Sequence, residues 1–276
     1  MPAGVLRNEM EKPVSLKGIS HIHTTFSFDG KVEIEKLHEF FAGHGFDFVL
    51  MSEHIETLDL ARMQEIYDAC ERVSTSECVF IPGIEIDDLH ILIFGIARPE
   101  RYDDIESFTQ DCHARGSLVV LSHPVKIRKG IPPVVLPLLA GVELWNTRYD
   151  GRQAPRPANH DLLRELRKNA PGLVAMCGMD FHNYSDFSPI SLELEAASRE
   201  PRAILDAIRR GGARICSHGA AIPIYDDSPA LAMLAHRVRG RIATVLYDGA
   251  VGCYRGLKRL GFRVPRPIRR GVKGIL

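Results

Sequence analysis

The chain has 276 residues, 45% hydrophobic and 25% charged, with 35 basic side chains against 35 acidic ones. Such a composition can bury a sizeable core, and the balanced charge excludes a nucleic-acid or membrane partner recognised by net charge alone. Six scattered cysteines without a C-x-x-C pair exclude a zinc ribbon and a disulfide framework and suit a reducing cytosol. The N-terminal "MPAGVLRNEMEKPV" has no apolar signal region, and no apolar run reaches about 18 residues. The expectation is a cytoplasmic protein with no transmembrane segment.

In chain order, apolar β-rich runs fall at 17–22, 46–52, 78–86, 90–96, 117–122, 141–146, 173–178 and 213–217. Amphipathic segments lie between them at 32–45, 60–73, 105–116, 160–169 and 201–212. In the first of these, Ile34, Leu37, Phe40 and Phe41 recur at helical spacing and glycines close the segment. Repeated strand–helix alternation predicts an α/β fold with a parallel sheet, doubly wound or closed as a barrel. Beyond about residue 220 the alternation gives way to a helical, increasingly basic segment. Two units follow, 1–220 and 221–276.

The apolar runs finish in metal-ligand residue types. The first carries His21 and His23, the second Glu53 and His54, the third Glu85. His90 opens the next, His123 ends "VVLSHP", Glu143 lies in "GVELWN", and "GMDFH" supplies Asp180 and His182. Parallel strands bring their C-terminal ends to one face, so these side chains meet there. A single strand-end histidine is more often a hydrogen-bonded structural residue. The joint arrangement, with six of twelve histidines in it, favours metal. Glu143 is the weakest member, since a carboxylate after a strand often bonds a loop or an arginine. Glu53 also suits a partner that orients His54. No Ser-His-Asp arrangement, Walker loop or dinucleotide glycine fingerprint competes.

The segments "HIHTTFSFDG", "MSEHIE", "PGIEI", "HILIFGI", "LSHPV", "VELWN" and "GMDFH" resemble, in order over residues 17–218, the motifs of the PHP (polymerase and histidinol phosphatase) superfamily of metal-dependent phosphoesterases. The resemblance implies a distorted (β/α)7 barrel with two to three divalent ions (Zn, Mn or Fe), here followed by the helical basic extension. Carried over by position, it implies a first ion on His21, His23, Glu85 and Asp180. Glu85 then bridges to a second ion on His90 and His123, and a third takes Asp29, His54 and His182. His21, His23, Glu85, Asp180 and His182 are the implied catalytic set. Two departures stand out: Glu53 occupies a position usually held by aspartate, and only four residues separate Glu85 from His90.

Bridged ions roughly 4 Å apart bind a phosphoryl group and activate water. The expected reaction is therefore hydrolysis of a phosphate monoester of a small metabolite or nucleotide. Histidinol phosphate and nucleoside bisphosphates are substrates suggested by the resemblance. The alternatives are an exonuclease-like phosphodiesterase on short nucleic acids and a non-catalytic metal-stabilised module. Lys126 and Arg128 after "LSHP", and Arg148 and Arg152 after "VELWN", are the cations placed to clamp phosphate.

From Arg255 onward the chain carries eight basic residues and no acidic one. Upstream, Leu231, Leu234, Val238, Ile242 and Val245 share one helical stripe. Two readings compete. One is a helix packed outside the barrel with a solvated basic end. The other is a basic arm over 255–276, extended because Pro265 and Pro267 interrupt a helix, with weak affinity for a polyanion: anionic lipid, RNA or the acidic face of a second subunit. The sequence sets no oligomeric state.

Overall fold

The computed structural model describes residues 12–55, 60–96, 104–127, 130–222 and 230–260. The chain begins with β1 (Val14–Ile22), α1 (Ile34–Gly43), β2 (Phe48–Met51), β3 (Glu53–His54), α2 (Leu60–Val73), β4 (Val79–Ile81), β5 (Gly83–Ile86) and β6 (Ile91–Phe94). It continues with α3 (Ile105–Ala114), β7 (Leu118–Leu121), β8 (Gly141–Asn146), α4 (Thr147–Asp150), α5 (Pro157–Arg167) and β9 (Val174–Phe181). The last elements are β10 (Ile190–Ala196), α6 (Pro201–Arg209), β11 (Arg214–Ser217), β12 (Ala220–Ala221) and α7 (Ala230–Arg259).

The twelve strands form one mixed sheet in the order β12-β11-β10-β1-β9-β8-β7-β6-β5-β3, with β2 joining β1 to β4 off this path. The sheet does not close on itself, so the strand pairing alone does not make the distorted (β/α)7 barrel that the resemblance implies. Its pairings also depart from all-parallel alternation. β6 is antiparallel to both β5 and β7, with no helix between β5 and β6, and β10 is antiparallel to both β1 and β11. The four residues between Glu85 and His90 are too few for a crossover helix, so the chain turns back through a 3-10 turn at Asp87–Leu89. The parallel set β7-β8-β9-β1-β2, with β3 beside β5, keeps the strand ends that carry the histidines on one side.

Element positions follow the sequence pattern closely, and the differences have local causes. The run at 78–86 is split by Pro82, which has no N–H for the ladder. β9 runs past Gly178 to Phe181, so Asp180 belongs to the strand rather than to a loop after it. β10 was not anticipated, although Ile190, Leu192, Leu194 and Ala196 are buried with the alternation of a half-exposed strand. α4 is set by Asn146, whose side chain accepts hydrogen bonds from the backbone N–H of Arg148 (3.0 Å) and Tyr149 (3.2 Å).

The core lies between the sheet and the helices laid on it, built from branched aliphatic and aromatic side chains such as Ile19, Phe48, Val49, Phe80, Leu92 and Val120. Phe41 of α1 is fully buried, with ring centroids 5.5 Å from both Phe46 and Phe181, beside the strand end that carries Asp180 and His182. α7 meets the body with its polar side. Gly240 is buried against Pro155 and Pro157, Arg156 pairs with Asp248 at 2.8 Å, and the Tyr247 hydroxyl donates to the Arg148 carbonyl at 2.6 Å. The stripe from Leu231 to Val245 faces solvent, although α7 lies against the outside of the body through its other side. Arg255, Lys258 and Arg259 are helical rather than extended. Pro265, Pro267 and the rest of the basic segment from residue 261 lie outside the described residues. Among the described residues, no helix is long and apolar enough to cross a membrane.

Phe41→Ala leaves a cavity in this cluster and is expected to lower the unfolding free energy by about 3–5 kcal/mol. The measurement is denaturant unfolding followed by emission of Trp145, which is the only tryptophan and is fully buried.

Candidate metal centre

At the strand ends a carboxylate sits among imidazoles. Glu85 is the last residue but one of β5 and is 2% exposed. Its Oε2 lies 3.1 Å from His21 Nε2, 3.5 Å from His23 Nε2 and 3.6 Å from His54 Nδ1, while Oε1 lies 2.6 Å from His123 Nε2. Four histidines from three separate segments thus converge on one side chain.

His21 reaches this point through a break in β1. The register against β2 and β9 shifts between Ser20 and Ile22, and His21 has φ of +65°. The shift at β1 behaves as a bulge that re-aims one side chain, so His21 and His23 both face the centre, with ring centroids 5.2 Å apart. Its Nδ1 lies 2.8 Å from Glu143 Oε1. Burial alone would lower the His21 pKa, but Glu143, Glu85 and Asp180 together hold it well above the ordinary value. Gly178 of β9 makes the approach possible, since a Cβ there would stand 1.7 Å from Glu143 Oε1 and 2.8 Å from the His21 Cβ.

His23 is fully buried, and its ring stacks between His54 at 4.5 Å and His182 at 4.3 Å. Burial, with the neighbouring His21, pushes its pKa well down. Asp29 Oδ2 lies 2.8 Å from His182 Nε2, and Asp29 Oδ1 lies 3.8 Å from His54 Nε2. His123 and Asp180 stand with His21 as a group of buried donor atoms within 4.8 Å of one another. His90 is half-buried, with its ring centroid 6.1 Å from that of His123, and it joins none of the compact donor groups. Asp87, which sequence reasoning passed over, lies 3.5 Å from His54 Nδ1 instead.

Two glutamates hold the frame. Glu143 Oε2 accepts from the backbone N–H of His123 at 2.6 Å and from Asn146 Nδ2 at 3.0 Å, so this one carboxylate orients both His21 and His123. It was passed over as the weakest candidate. Its signal was a charge inside the otherwise buried run "GVELWN", where an unpaired carboxylate is costly. Glu53 does not touch His54 in the way expected of an orienting partner. It accepts from the Thr24 N–H (3.0 Å), the Thr24 hydroxyl (2.6 Å) and the Ser27 hydroxyl (2.5 Å), and Ser27 in turn accepts from the His54 N–H (2.9 Å). The loop from His23 to Asp29 is therefore pinned to the strand that carries His54. Burial pushes the Glu53 carboxyl up, opposed by these donors.

Arg148 reaches the centre directly. Its Nη1 donates to Asp180 Oδ1 at 3.4 Å and to His182 Nδ1. Arg152 donates to the Ser185 carbonyl, and with Arg148, Lys31, Asn183, Asp186 and Tyr247 it lines a cavity of about 410 Å³. Lys126 lies 4.3 Å over the Tyr149 ring. Arg128 lies outside the described residues.

These residues fit divalent ions. His23 Nε2, Asp29 Oδ1, His90 Nδ1 and His123 Nδ1 are buried atoms with no hydrogen-bond partner, where native interiors normally satisfy such groups. The donors are imidazole and carboxylate without thiolate, a set suited to Zn, Mn or Fe. The Glu143–His21 pair is also the outer carboxylate–histidine contact that orients a ligating imidazole.

No protein-family model and no curated protein matches the sequence. Solved structures do match. The chain aligns with a two-domain protein from Bacteroides vulgatus that contains a predicted PHP-like metal-dependent phosphoesterase, with TM-score 0.59 and 17% identity over 80% of this chain and 71% of that one. It also aligns with PsfC from Pseudomonas syringae, with TM-score 0.51 and 13% identity over 83% of this chain and 99% of that one. The mixed α/β fold is thus shared with a PHP-like protein.

Glu143→Gln is expected to weaken binding of Zn or Mn about 10- to 100-fold, as loss of an outer-shell partner does. Gly178→Ala, which drives a methyl group into the Glu143 carboxylate, is expected to be at least as severe. Titration against a chelating dye measures both.

Proposed function

We propose that the chain is a metal-dependent phosphoesterase of the PHP type that hydrolyses a phosphate monoester of a small metabolite or nucleotide. The observation that carries this reading is Glu85, a buried carboxylate with both oxygens facing histidines. In this reading His21, His23, Glu85 and Asp180 hold one ion, Glu85, His90 and His123 a second, and Asp29, His54 and His182 a third. When bound, such ions neutralise phosphate charge and lower the pKa of water.

The chain's own residues supply the rest. Glu143 and Asn146 keep His21, His123 and Asp180 oriented toward the centre. Arg148, whose guanidinium already faces Asp180 and His182, binds ester oxygens at the centre, and Arg152 and Lys31 attract the anion into the neighbouring cavity. Lys126 stands on the His123 side over Tyr149 and serves as a further cation there. The burial of His21, His23 and Glu85 excludes bulk water from the reacting face.

The same reading takes β2 with β3, and β4 with β5, as two interrupted strands of a distorted (β/α)7 barrel spanning residues 1–220, with 221–276 as its extension. The parallel registers Phe48↔Val79 and Glu53↔Ile84 support it. Six free cysteines, five of them buried, suit a cytoplasmic setting.

The test is a screen of the Mn- or Zn-loaded protein against phosphorylated metabolites, nucleotides and short oligonucleotides. Monoester turnover is expected, and Asp180→Asn, His21→Ala and Glu85→Gln are expected to abolish it. Arg148→Ala loses a charge-assisted contact and is expected to lower kcat/KM about 10- to 100-fold with metal content unchanged. Turnover of oligonucleotides alone would replace the phosphatase with a phosphodiesterase. Full activity in His21→Ala would overturn the assignment.

A further inference from the structure

The C-terminal helix α7 is mounted with its apolar side outward. Its 30 residues span about 45 Å. The side turned to the body carries His236, Gly240, Thr244 and Tyr247, all buried or half-buried. On the opposite side Leu231, Leu234, Val238, Ile242, Val245 and Leu246 are 78%, 59%, 50%, 57%, 71% and 61% exposed. Single exposed apolar residues need no explanation, but a continuous stripe marks a surface that something covers.

The charges on the helix say what. At 3.6 residues per turn, Arg239 and Arg241 stand about 100° to either side of Gly240, so they flank the apolar stripe on both edges, and Arg259 falls on the Arg241 edge. The one acidic side chain of the helix, Asp248, is engaged by Arg156. Beyond the helix the sequence adds Arg263, Arg266, Arg269, Arg270 and Lys273 and no acid. An apolar stripe rimmed by cations is the pattern of a helix lying in a membrane interface. A second copy seated on the stripe would bring the same cations face to face, and RNA would leave the leucines uncovered.

We infer that α7 seats its apolar stripe in the surface of an anionic lipid bilayer, with the rimming arginines on the lipid phosphates. The helix lies on the membrane and does not cross it. The mode of attachment is independent of the chemistry at the metal centre.

The experiment is flotation of the full chain with vesicles of phosphatidylcholine, with and without phosphatidylglycerol, at low and high salt. The protein is expected to float with anionic vesicles at low salt, and to lose most of that binding in neutral vesicles or at high salt. Leu234→Gln combined with Ile242→Gln is expected to lower affinity about tenfold or more, with Trp145 emission and metal content unchanged. Arg239→Glu combined with Arg241→Glu is expected to do the same on anionic vesicles, and it decides the matter if the glutamine pair does not fold. The inference is overturned if the wild-type chain fails to float, or if both pairs bind as wild type does. It is also overturned if light scattering shows a dimer that the glutamine pair converts to monomer without any vesicle binding. Binding that needs residues 261–276 but not the stripe overturns it as well.

Discussion

The site depends on one constraint: the Glu85 carboxylate, 2% exposed, has to share a dry space with His21, His23, His54 and His123. Burying a carboxylate beside imidazoles is tolerable only when each charge meets an opposite charge and each polar atom a partner. Protein partners satisfy part of this demand. Burial opposes ionisation of Glu85, yet His21 and His123 hold its pKa well below the usual carboxylate range. His23 Nε2, Asp29 Oδ1, His90 Nδ1 and His123 Nδ1 are left without a hydrogen-bond partner in this region, alongside other such buried atoms among the described residues. Bound cations would supply positive charge here and coordinate these bare nitrogens and oxygens.

Holding that cluster together strains the backbone. His21, His90, His123 and Asp180 all have positive φ, at +65°, +53°, +25° and +53°, a region that disfavours residues with a Cβ. Four such residues at one set of strand ends fit the tendency of strain to collect at functional sites. What maintains them is the surrounding ladder. β1 is paired on both sides at the His21 break, and β8 carries a second register shift between Glu143 and Trp145, where Glu143 turns toward His21. Phe41 packs on the ring of Phe181, the residue between Asp180 and His182 in the chain.

Much of this was legible in the sequence, for reasons that can be separated. The apolar runs and the helical spacing placed β8 and α2 with the bounds observed, because burial on both faces or on one stripe writes itself into periodicity. His21 and His23 do converge on the centre, but through a break in β1 at His21 that the apolar periodicity does not announce. Glu143 was undervalued because two of its partners, His21 and the His123 N–H, lie 122 and 20 residues away and only folding joins them. Alternation alone overstated the parallel pairing. The four residues between Glu85 and His90 leave room only for a hairpin, and that sets β5 and β6 antiparallel. The outward stripe of α7 was legible as a stripe but not as a direction, because amphipathicity does not say which face meets the body.

The direction of α7 has a consequence for the centre itself. The helix is anchored through polar contacts, Arg156 to Asp248, Arg237 to Asp161 and the Tyr247 hydroxyl to the Arg148 carbonyl. The last of these falls on the residue whose guanidinium faces Asp180 and His182, and Tyr247 also lines the cavity that Arg152 and Lys31 share. One helix therefore contributes a wall to the cavity beside the metal centre while its opposite face stays uncovered. Had the apolar stripe been turned inward, the body would have gained buried area, but Tyr247 and Asp248 would have been carried away from Arg148 and Arg156. The outward mounting is thus the arrangement in which the site's arginine loop is braced from the C-terminal side, and the exposed leucines are its physical counterpart.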